Sequence, residues 1–260
     1  MMKVFKYSLQ DMIRNRWIFI YFSFFLLLTI SLLLLSSNIP KLIITLTNVI
    51  LALTPLIGIL FGAMYYYNSI EFIKLLLAQP LSRQSIFIGI FAGVSVSLCL
   101  SLVAGVTIPL IFYGLFSSGE FVTFLVLLSM ACVLTIIFSL IAFILAMRNE
   151  NRIKGIGKAI FIWLFFAIIY DGIFLLLLSI FKDYPLENLT LALTSLNPVD
   201  LARILILLKL DISAMMGYTG AVLQKFLGSS LGYVFIISIL AMWIFIPYNY
   251  MLRLSRIKDF

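Results

Sequence analysis

The stretch N-S-I-E-F-I-K-L-L-L-A-Q-P-L-S-R-Q-S-I-F-I-G, residues 68–89, is semi-polar and lies between two runs of almost pure hydrocarbon. Within it, Phe72, Leu75 and Leu76 follow the three-to-four-residue spacing of a short helix with one apolar face. The pattern predicts a short helix that lies along a membrane surface and is followed by a new membrane span. An ordinary polar loop between two membrane helices is the alternative.

Pro80 sets the end of this short helix. A proline cannot donate the next backbone hydrogen bond and disfavours helix in the residue before it, so the helix should end near Ala78 or Gln79. Ser82 is placed to cap the helix that follows. The stretch is therefore predicted as a helix, a break and a second helix.

The composition of the whole chain is that of a polytopic membrane protein. The chain has 260 residues, of which 64% are hydrophobic and 11% are charged, with a mean hydropathy of +1.21. The net charge of +8 does not indicate nucleic-acid binding, because the basic residues lie at the ends of hydrophobic runs and not on one face. These values predict an all-α protein embedded in a bilayer.

The residue types also limit the chemistry of the chain. It contains no histidine, which removes the commonest general base and the Ser/His and Cys/His nucleophile pairs. No G-x-x-x-x-G-K-[ST] loop is present to bind the phosphates of a nucleotide. We expect no cofactor in this chain and no enzyme activity of its own. A membrane-embedded enzyme is disfavoured for the same reasons.

The hydropathy pattern divides the chain into an interfacial amphipathic helix, residues 1–16, and a transmembrane domain, residues 17–260. In the first helix, Phe5, Leu9, Met12 and Ile13 are expected to share the apolar face. The six predicted spans are about 17–36, 42–66, 85–115, 121–147, 159–181 and 231–252. Between them lie the short helical stretch 68–83, expected in the cytoplasm, and an external helical cap, residues 182–230.

The basic residues predict the orientation of the spans. With both termini inside, thirteen of the 18 Lys and Arg residues fall in cytoplasmic segments and five fall outside. Short loops rich in Lys and Arg stay on the cytoplasmic side, so the expected topology is N-in and C-in.

Pairs of small residues indicate where helices can approach closely. Gly58 and Gly62 in the second span, and Gly89 and Gly93 in the third, have the small-xxx-small spacing that allows helix contact. The two cysteines, Cys99 and Cys132, fall near the middle of separate spans. Packing is the favoured interpretation for both, and a thiolate pair for a soft metal is the alternative.

The segment 182–230 carries one clear helix start. Asn197 is a typical cap, Pro198 suits the first helical position, and Asp200 is favoured by the helix dipole in the first turn. This helix should continue to about residue 210, and a second helix is predicted over residues 219–227. So much apolar surface outside the bilayer must be covered, either as an interfacial helix pair on top of the bundle or by a partner protein.

Asp171 is predicted near the centre of the fifth span, where an ionised carboxylate is costly. No Lys or Arg is expected at the same depth. Two interpretations remain open: a polar contact that gates or stabilises a dimer interface, and a local hydrogen bond to Tyr170 or a neighbouring hydroxyl.

The order of an acidic residue, a short helix and then L-L-A-Q-P-L-S-R before a new span resembles the coupling helix of ABC-2 type transporter permeases. That resemblance implies a type V exporter-like permease whose short helix docks on a separate ATPase subunit, which binds ATP and Mg²⁺. The basic residue that often follows the glycine of this motif is Ile90 here. The implied coupling residues are Glu71, Phe72, Leu75, Leu76, Pro80, Leu81 and Arg83.

The stretch S-L-N-P-V-D-L-A-R-I-L-I-L-L-K-L-D-I-S-A-M-M-G-Y-T-G-A-V, residues 195–222, resembles the NosY permeases. This implies a homodimer in a bacterial inner membrane, a cytoplasmic ATPase and a periplasmic β-helical protein, in the maturation of the copper sites of nitrous oxide reductase. The implied contacts with the external partner are Asn197, Pro198, Asp200, Arg203, Met215 and Met216. A conventional ABC-2 exporter of a lipid, drug or polysaccharide is the alternative.

Met215 and Met216 are adjacent methionines, and thioethers suit Cu(I). Adjacent residues on a helix do not share a face, so packing is the favoured interpretation. Any copper is expected to be handled by periplasmic partners.

Overall fold

A computed structural model describes residues 2–35, 39–117, 119–181, 186–210 and 230–257. Within these ranges the chain is helical apart from short turns, and the described residues form no strand. The helices are α1 (Met2–Arg14), α2 (Arg16–Leu35), α3 (Ile39–Asn68), α4 (Ile70–Leu77), α5 (Arg83–Phe112), α6 (Phe121–Arg148), α7 (Arg152–Leu164), α8 (Tyr170–Ile180), α9 (Leu186–Ser195), α10 (Pro198–Lys209) and α11 (Ser230–Ile257). A π-helical turn, Phe165–Ile169, joins α7 to α8.

Six helical segments of the described residues are long and apolar enough to cross a membrane. They are Arg16–Leu35, Ile39–Asn68, Arg83–Phe112, Phe121–Arg148, Arg152–Ile180 and Gly232–Ile257. The predicted all-α, six-span architecture is confirmed. The N-in, C-in orientation stays a prediction.

The centre of the bundle is formed by α3, α5 and α6, whose facing side chains are fully buried. Tyr66, Phe87 and Phe143 pack ring against ring across these three helices. A hydrogen bond between the hydroxyls of Ser95 and Ser139, 2.9 Å long, ties α5 to α6. The fifth span lies at the outside of this core.

Both predicted glycine pairs are helix contacts. A Cβ on Gly62 would lie 2.9 Å from Cβ of Ala142, so α3 and α6 are as close as a small residue permits. A Cβ on Gly93 would lie 2.6 Å from Cβ of Ser8, so α5 approaches α1 in the same way. Since lipid offers no hydrophobic drive for helix association, such close backbone approach stabilises the bundle through dispersion contacts.

The buried face of α1 differs from the prediction. Met12 is buried as expected, but Ile13, expected on the same apolar face, is exposed, and the residues buried against the glycines of α5 are Val4 and Ser8. The reason is that α1 docks on the glycine stripe of α5, which accepts the small Ser8 at closest approach. The face is thus chosen by fit to α5 and not by hydrophobicity alone.

The segment predicted as an external cap is partly inserted in the bundle. Helices α9 and α10 meet at a bend of 113°, and together they are apolar enough to form a broken span or a re-entrant loop. Helix α10 packs against α6, α11 and α3, because its side chains are apolar on nearly every face. The predicted second helix, 219–227, lies outside the described residues.

Candidate functional site

The short helix α4 leaves the end of α3 after a single residue, Ser69. The backbone N–H of Ile73 donates to the Ser69 carbonyl at 2.8 Å, so α4 is bonded directly to the turn that ends α3. The helix ends at Leu77, and the Ala78 N–H closes it by donating to the Lys74 carbonyl at 3.2 Å. This end lies one residue before the predicted one and is consistent with the effect of Pro80.

The apolar residues of α4 point in two directions. Ile73 is fully buried and Leu76 is 8% exposed, so these two side chains hold the helix on the bundle. Leu75 is 67% exposed, and Leu81 in the following turn is 38% exposed. The single apolar face expected for Phe72, Leu75 and Leu76 is therefore split into a packed face and an open one.

Helix α1 supports α4 from the side. The ring of Phe72 stacks on that of Tyr7, with centroids 4.6 Å apart. The hydroxyl of Tyr65, near the end of α3, donates to Asp11 of α1 at 3.0 Å. Helix α1 is thus joined both to α4 and to the span that precedes it.

The remaining coupling residues of the sequence analysis lie at the same edge of the molecule. Glu71, Pro80 and Arg83 are exposed. Arg83 begins α5 and donates to the Arg256 carbonyl of α11 at 3.4 Å. Ser82 occupies the cap position of α5, but its hydroxyl bonds the hydroxyl of Ser85 at 2.7 Å and not a backbone N–H.

Tyr67 makes a contact that sequence reasoning missed. Its hydroxyl donates to the Asn149 carbonyl at 2.8 Å, and its ring lies against Gly155, where a Cβ would be 1.8 Å from the hydroxyl oxygen. Asn149 also accepts from the Lys158 ammonium at 2.7 Å. The end of α3 is thereby tied to the basic connection between α6 and α7. Gly155 was the feature of the sequence that could have indicated this close contact.

A second polar site joins the fifth span to α10. Asn197 is the cap of α10, and its side-chain oxygen accepts from the Val199 N–H at 3.0 Å, as predicted. Its amide nitrogen donates to the Phe166 carbonyl at 3.0 Å and to Asp200 at 2.9 Å. Phe166 lies in the π-helical turn, where the helical hydrogen-bond ladder is loosened and a carbonyl can accept from outside.

Arg203 completes this cluster by contacting both carboxylates. Its Nη1 lies 3.1 Å from Oδ2 of Asp171 and 3.3 Å from Oδ1 of Asp200. The expectation that Asp171 has no basic residue at its depth was wrong, because α10 enters the bundle and brings Arg203 with it. The Tyr170 hydroxyl is not the local partner either, since it donates to the Leu193 carbonyl.

The residues that were expected to contact an external partner differ in how far they are buried. Asn197, Pro198 and Asp200 are buried within the chain, so in this conformation they do not form an outer surface for a partner. The side chain of Arg203 is 33% exposed. The physical reason is the hydrogen-bond cluster itself, which holds the start of α10 against the fifth span. Met215 and Met216 lie outside the described residues.

Cys99 and Cys132 come together from α5 and α6. The Cys99 thiol lies 3.8 Å from the Cys132 carbonyl oxygen, and both residues are half-buried free cysteines. This packing pattern suits small apolar side chains at a helix contact. The soft-metal alternative stays a prediction.

The comparisons with known proteins agree with one another. The chain is 26% identical over 226 residues to the "Probable ABC transporter permease protein NosY" of Pseudomonas aeruginosa, covering 81% of this chain and 82% of that protein. It is 26% identical over 214 residues to the protein of the same name from Stutzerimonas stutzeri, covering 76% and 78%. No family model matches the chain. By its six spans and these relatives, the chain is a multi-pass membrane protein that resembles the NosY-named ABC transporter permeases.

Proposed function

We propose that this chain is the membrane subunit of an ABC complex that couples ATP hydrolysis on a cytoplasmic ATPase to a periplasmic partner protein. The observation that carries the coupling role is a pair of exposed leucines, Leu75 on the anchored helix α4 and Leu81 in the turn that follows it. An exposed leucine on a helix packed by Ile73 and Leu76 gives a partner a rigid apolar contact at little entropic cost.

The contacts of α4 define how a movement would be transmitted. When two ATPase subunits close, they displace residues 71–83, and α3 moves with them because only Ser69 separates it from α4. Helix α3 passes the displacement to α6 through the Gly58 and Gly62 contact, where the backbones are too close to slide independently. Both α3 and α6 contact α10, so the movement reaches α10.

The periplasmic half of the proposal rests on the resemblance of residues 195–222 to the NosY permeases. In this role two copies of the chain form a homodimer in a bacterial inner membrane, and each copy presents its α4 to one ATPase. The β-helical partner receives the conformational change and delivers copper for the maturation of nitrous oxide reductase. The chain itself contributes the mechanical link.

The test is the ATPase activity of the reconstituted complex in lipid vesicles. Replacing Leu75 and Leu81 by glutamate places two charges where the ATPase docks, so stimulation of hydrolysis should fall about tenfold or more. Ile153→Glu is the matched control, because Ile153 is 82% exposed at the start of α7 and no coupling role is implied for it. Unchanged stimulation in the Leu75 and Leu81 variant would remove the docking assignment.

A further inference from the structure

The junction of α1 and α2 forms an open groove of about 670 Å³ on the outside of the bundle. The two arginines that flank the junction, Arg14 and Arg16, stand at its polar end, and apolar side chains of α2 form the rest. The groove is lined by Arg14, Asn15, Arg16, Phe19, Ile20, Ser23, Phe24 and Leu27. Nothing in the proposed coupling function uses this surface.

The charges at the polar end of the groove are unsatisfied. Arg14 and Arg16 are both exposed, and neither forms an ion pair or a side-chain hydrogen bond with the part of the chain that the structure describes. Asn15, between them, already has a hydrogen-bond partner, because its side-chain oxygen accepts from the Trp17 N–H at 3.1 Å. Two guanidinium groups are therefore free to bind an anion, and arginine suits phosphate because its donors match the phosphate oxygens in pairs.

The depth of the groove matches one leaflet of a bilayer. Arg16 begins the first span, so its guanidinium lies at the boundary between water and hydrocarbon, and Trp17 stands at the level that aromatic side chains prefer. From Phe19 to Leu27 the helix rises about 12 Å at 1.5 Å per residue, which is most of the roughly 15 Å of one leaflet. A ligand that fills the groove therefore has an anionic head and an apolar tail.

We propose that this groove is a binding site for one anionic phospholipid. Its phosphate lies between Arg14 and Arg16, and an acyl chain follows Phe19, Phe24 and Leu27. The apolar side chains of α2 that line the groove are exposed, Phe19 by 69% and Leu27 by 62%. The bound lipid covers that surface and neutralises the two charges together, which neither a free anion nor an uncharged lipid does.

The experiment measures lipid retention by native mass spectrometry on the purified full chain, exchanged from nanodiscs of phosphatidylcholine with phosphatidylglycerol. Arg14→Gln/Arg16→Gln should weaken phosphatidylglycerol binding about thirty-fold, because each substitution removes a guanidinium hydrogen bond to the phosphate that contributes about 1 kcal/mol. Lys3→Gln/Lys6→Gln is the matched control, because it removes the same charge from α1 outside the groove. This control should retain the lipid.

Two further arms keep the lipid assignment distinct from other occupants. Ser23→Trp fills the apolar part of the groove and should also release phosphatidylglycerol, although both arginines remain. If the Lys3/Lys6 control lost the lipid as fully as the Arg14/Arg16 variant, the proposal would be overturned. A Ser23→Cys variant that crosslinks two copies of the chain at this position would equally overturn it, by giving the groove to a second copy.

Discussion

The guanidinium of Arg203 lies 3.1 Å from the carboxylate of Asp171, and this ion pair joins α10 to the fifth span. Each side chain would be costly at membrane depth if it were alone, by about 2.5–3.5 kcal/mol on insertion scales. Pairing removes much of that cost for both. The entry of α10 into the bundle and the presence of a carboxylate in the fifth span are thus two parts of one arrangement.

Substitutions at Arg203 and at Asp171 should destabilise the chain to different extents. Arg203→Gln leaves Asp171 and Asp200 facing each other without a cation, whereas Asp171→Asn leaves Arg203 paired with Asp200. We expect a loss of about 2–3 kcal/mol for Arg203→Gln, which lowers Tm by about 5–10 °C, and a clearly smaller loss for Asp171→Asn. Thermal unfolding of the detergent-purified chain measures both.

Lys209→Gln is the control for this comparison, because it removes a cation from α10 that lies over the Tyr233 ring, 5.1 Å from its centroid, and that forms no ion pair with a carboxylate among the described residues. Its Tm should change less than that of Arg203→Gln. Equal losses for Arg203→Gln and Asp171→Asn would contradict the double pairing.

Substitutions on the packed face and on the open face of α4 should differ in their effect on stability. Leu76→Ala empties a buried position and should cost about 2–5 kcal/mol, lowering the Tm of the chain even without its partners. Leu75→Ala truncates an exposed side chain and should leave Tm within about 1 °C. Melting curves of the two variants are the measurement. A larger loss at Leu75 than at Leu76 would show that the wrong face of α4 has been assigned to the bundle.

Gly155 and Gly157 form a matched pair within one helix. A Cβ on Gly155 meets the Tyr67 hydroxyl at 1.8 Å and its Cζ at 2.8 Å, whereas one on Gly157 meets nothing within 4 Å. Gly155→Ala should therefore lose about 1–3 kcal/mol through overpacking. Gly157→Ala should be neutral or stabilise the helix by up to about 1 kcal/mol.

The Tyr67→Ala variant tests whether the Tyr67 ring causes the loss expected for Gly155→Ala. Adding Gly155→Ala to Tyr67→Ala should produce no further loss of Tm, because the clashing ring is gone. An additional loss equal to that of Gly155→Ala alone would mean that Tyr67 is not the group that glycine accommodates.

Gly93 should control whether α1 stays docked. A Cβ at this position lies 2.6 Å from Cβ of Ser8 and 3.0 Å from the backbone nitrogen of Leu9, and a backbone atom cannot move aside cheaply. Gly93→Ala should displace α1 and let it unfold locally, so trypsin should cut after the exposed Lys6 and Arg14 faster than in the wild type, as limited proteolysis followed by mass spectrometry detects. Gly172→Ala in the fifth span, with open space at its Cβ, is the control and should be cut at the wild-type rate.

Local signals in the sequence were sufficient for much of this architecture. The cap Asn197 and Pro198 placed the start of α10 correctly, and Pro80 placed the end of α4 within one residue. These features depend on the geometry of a few neighbouring residues. The presence of six spans follows from hydropathy over windows of about twenty residues, which is also a local property of the sequence.

Contacts between distant segments could not be predicted in this way. Arg203 lies in the segment 182–230, which was predicted to be external, because the charge rule considers loops and does not anticipate a segment that turns back into the bundle. The partner of Asp171 was therefore missed. The buried face of α1 was likewise set by the glycines of α5, about eighty residues further along the chain.

The central claim is that the chain links a cytoplasmic ATPase to a periplasmic partner. The most direct measurement is affinity purification of the full chain from its native membrane under gentle solubilisation, with identification of the bound proteins by mass spectrometry. We expect recovery of both an ABC ATPase and a secreted β-helical protein, with the ATPase lost from the Leu75→Glu/Leu81→Glu variant. Recovery of the ATPase alone would contradict the link and favour a conventional exporter, and recovery of neither would contradict the coupling role itself.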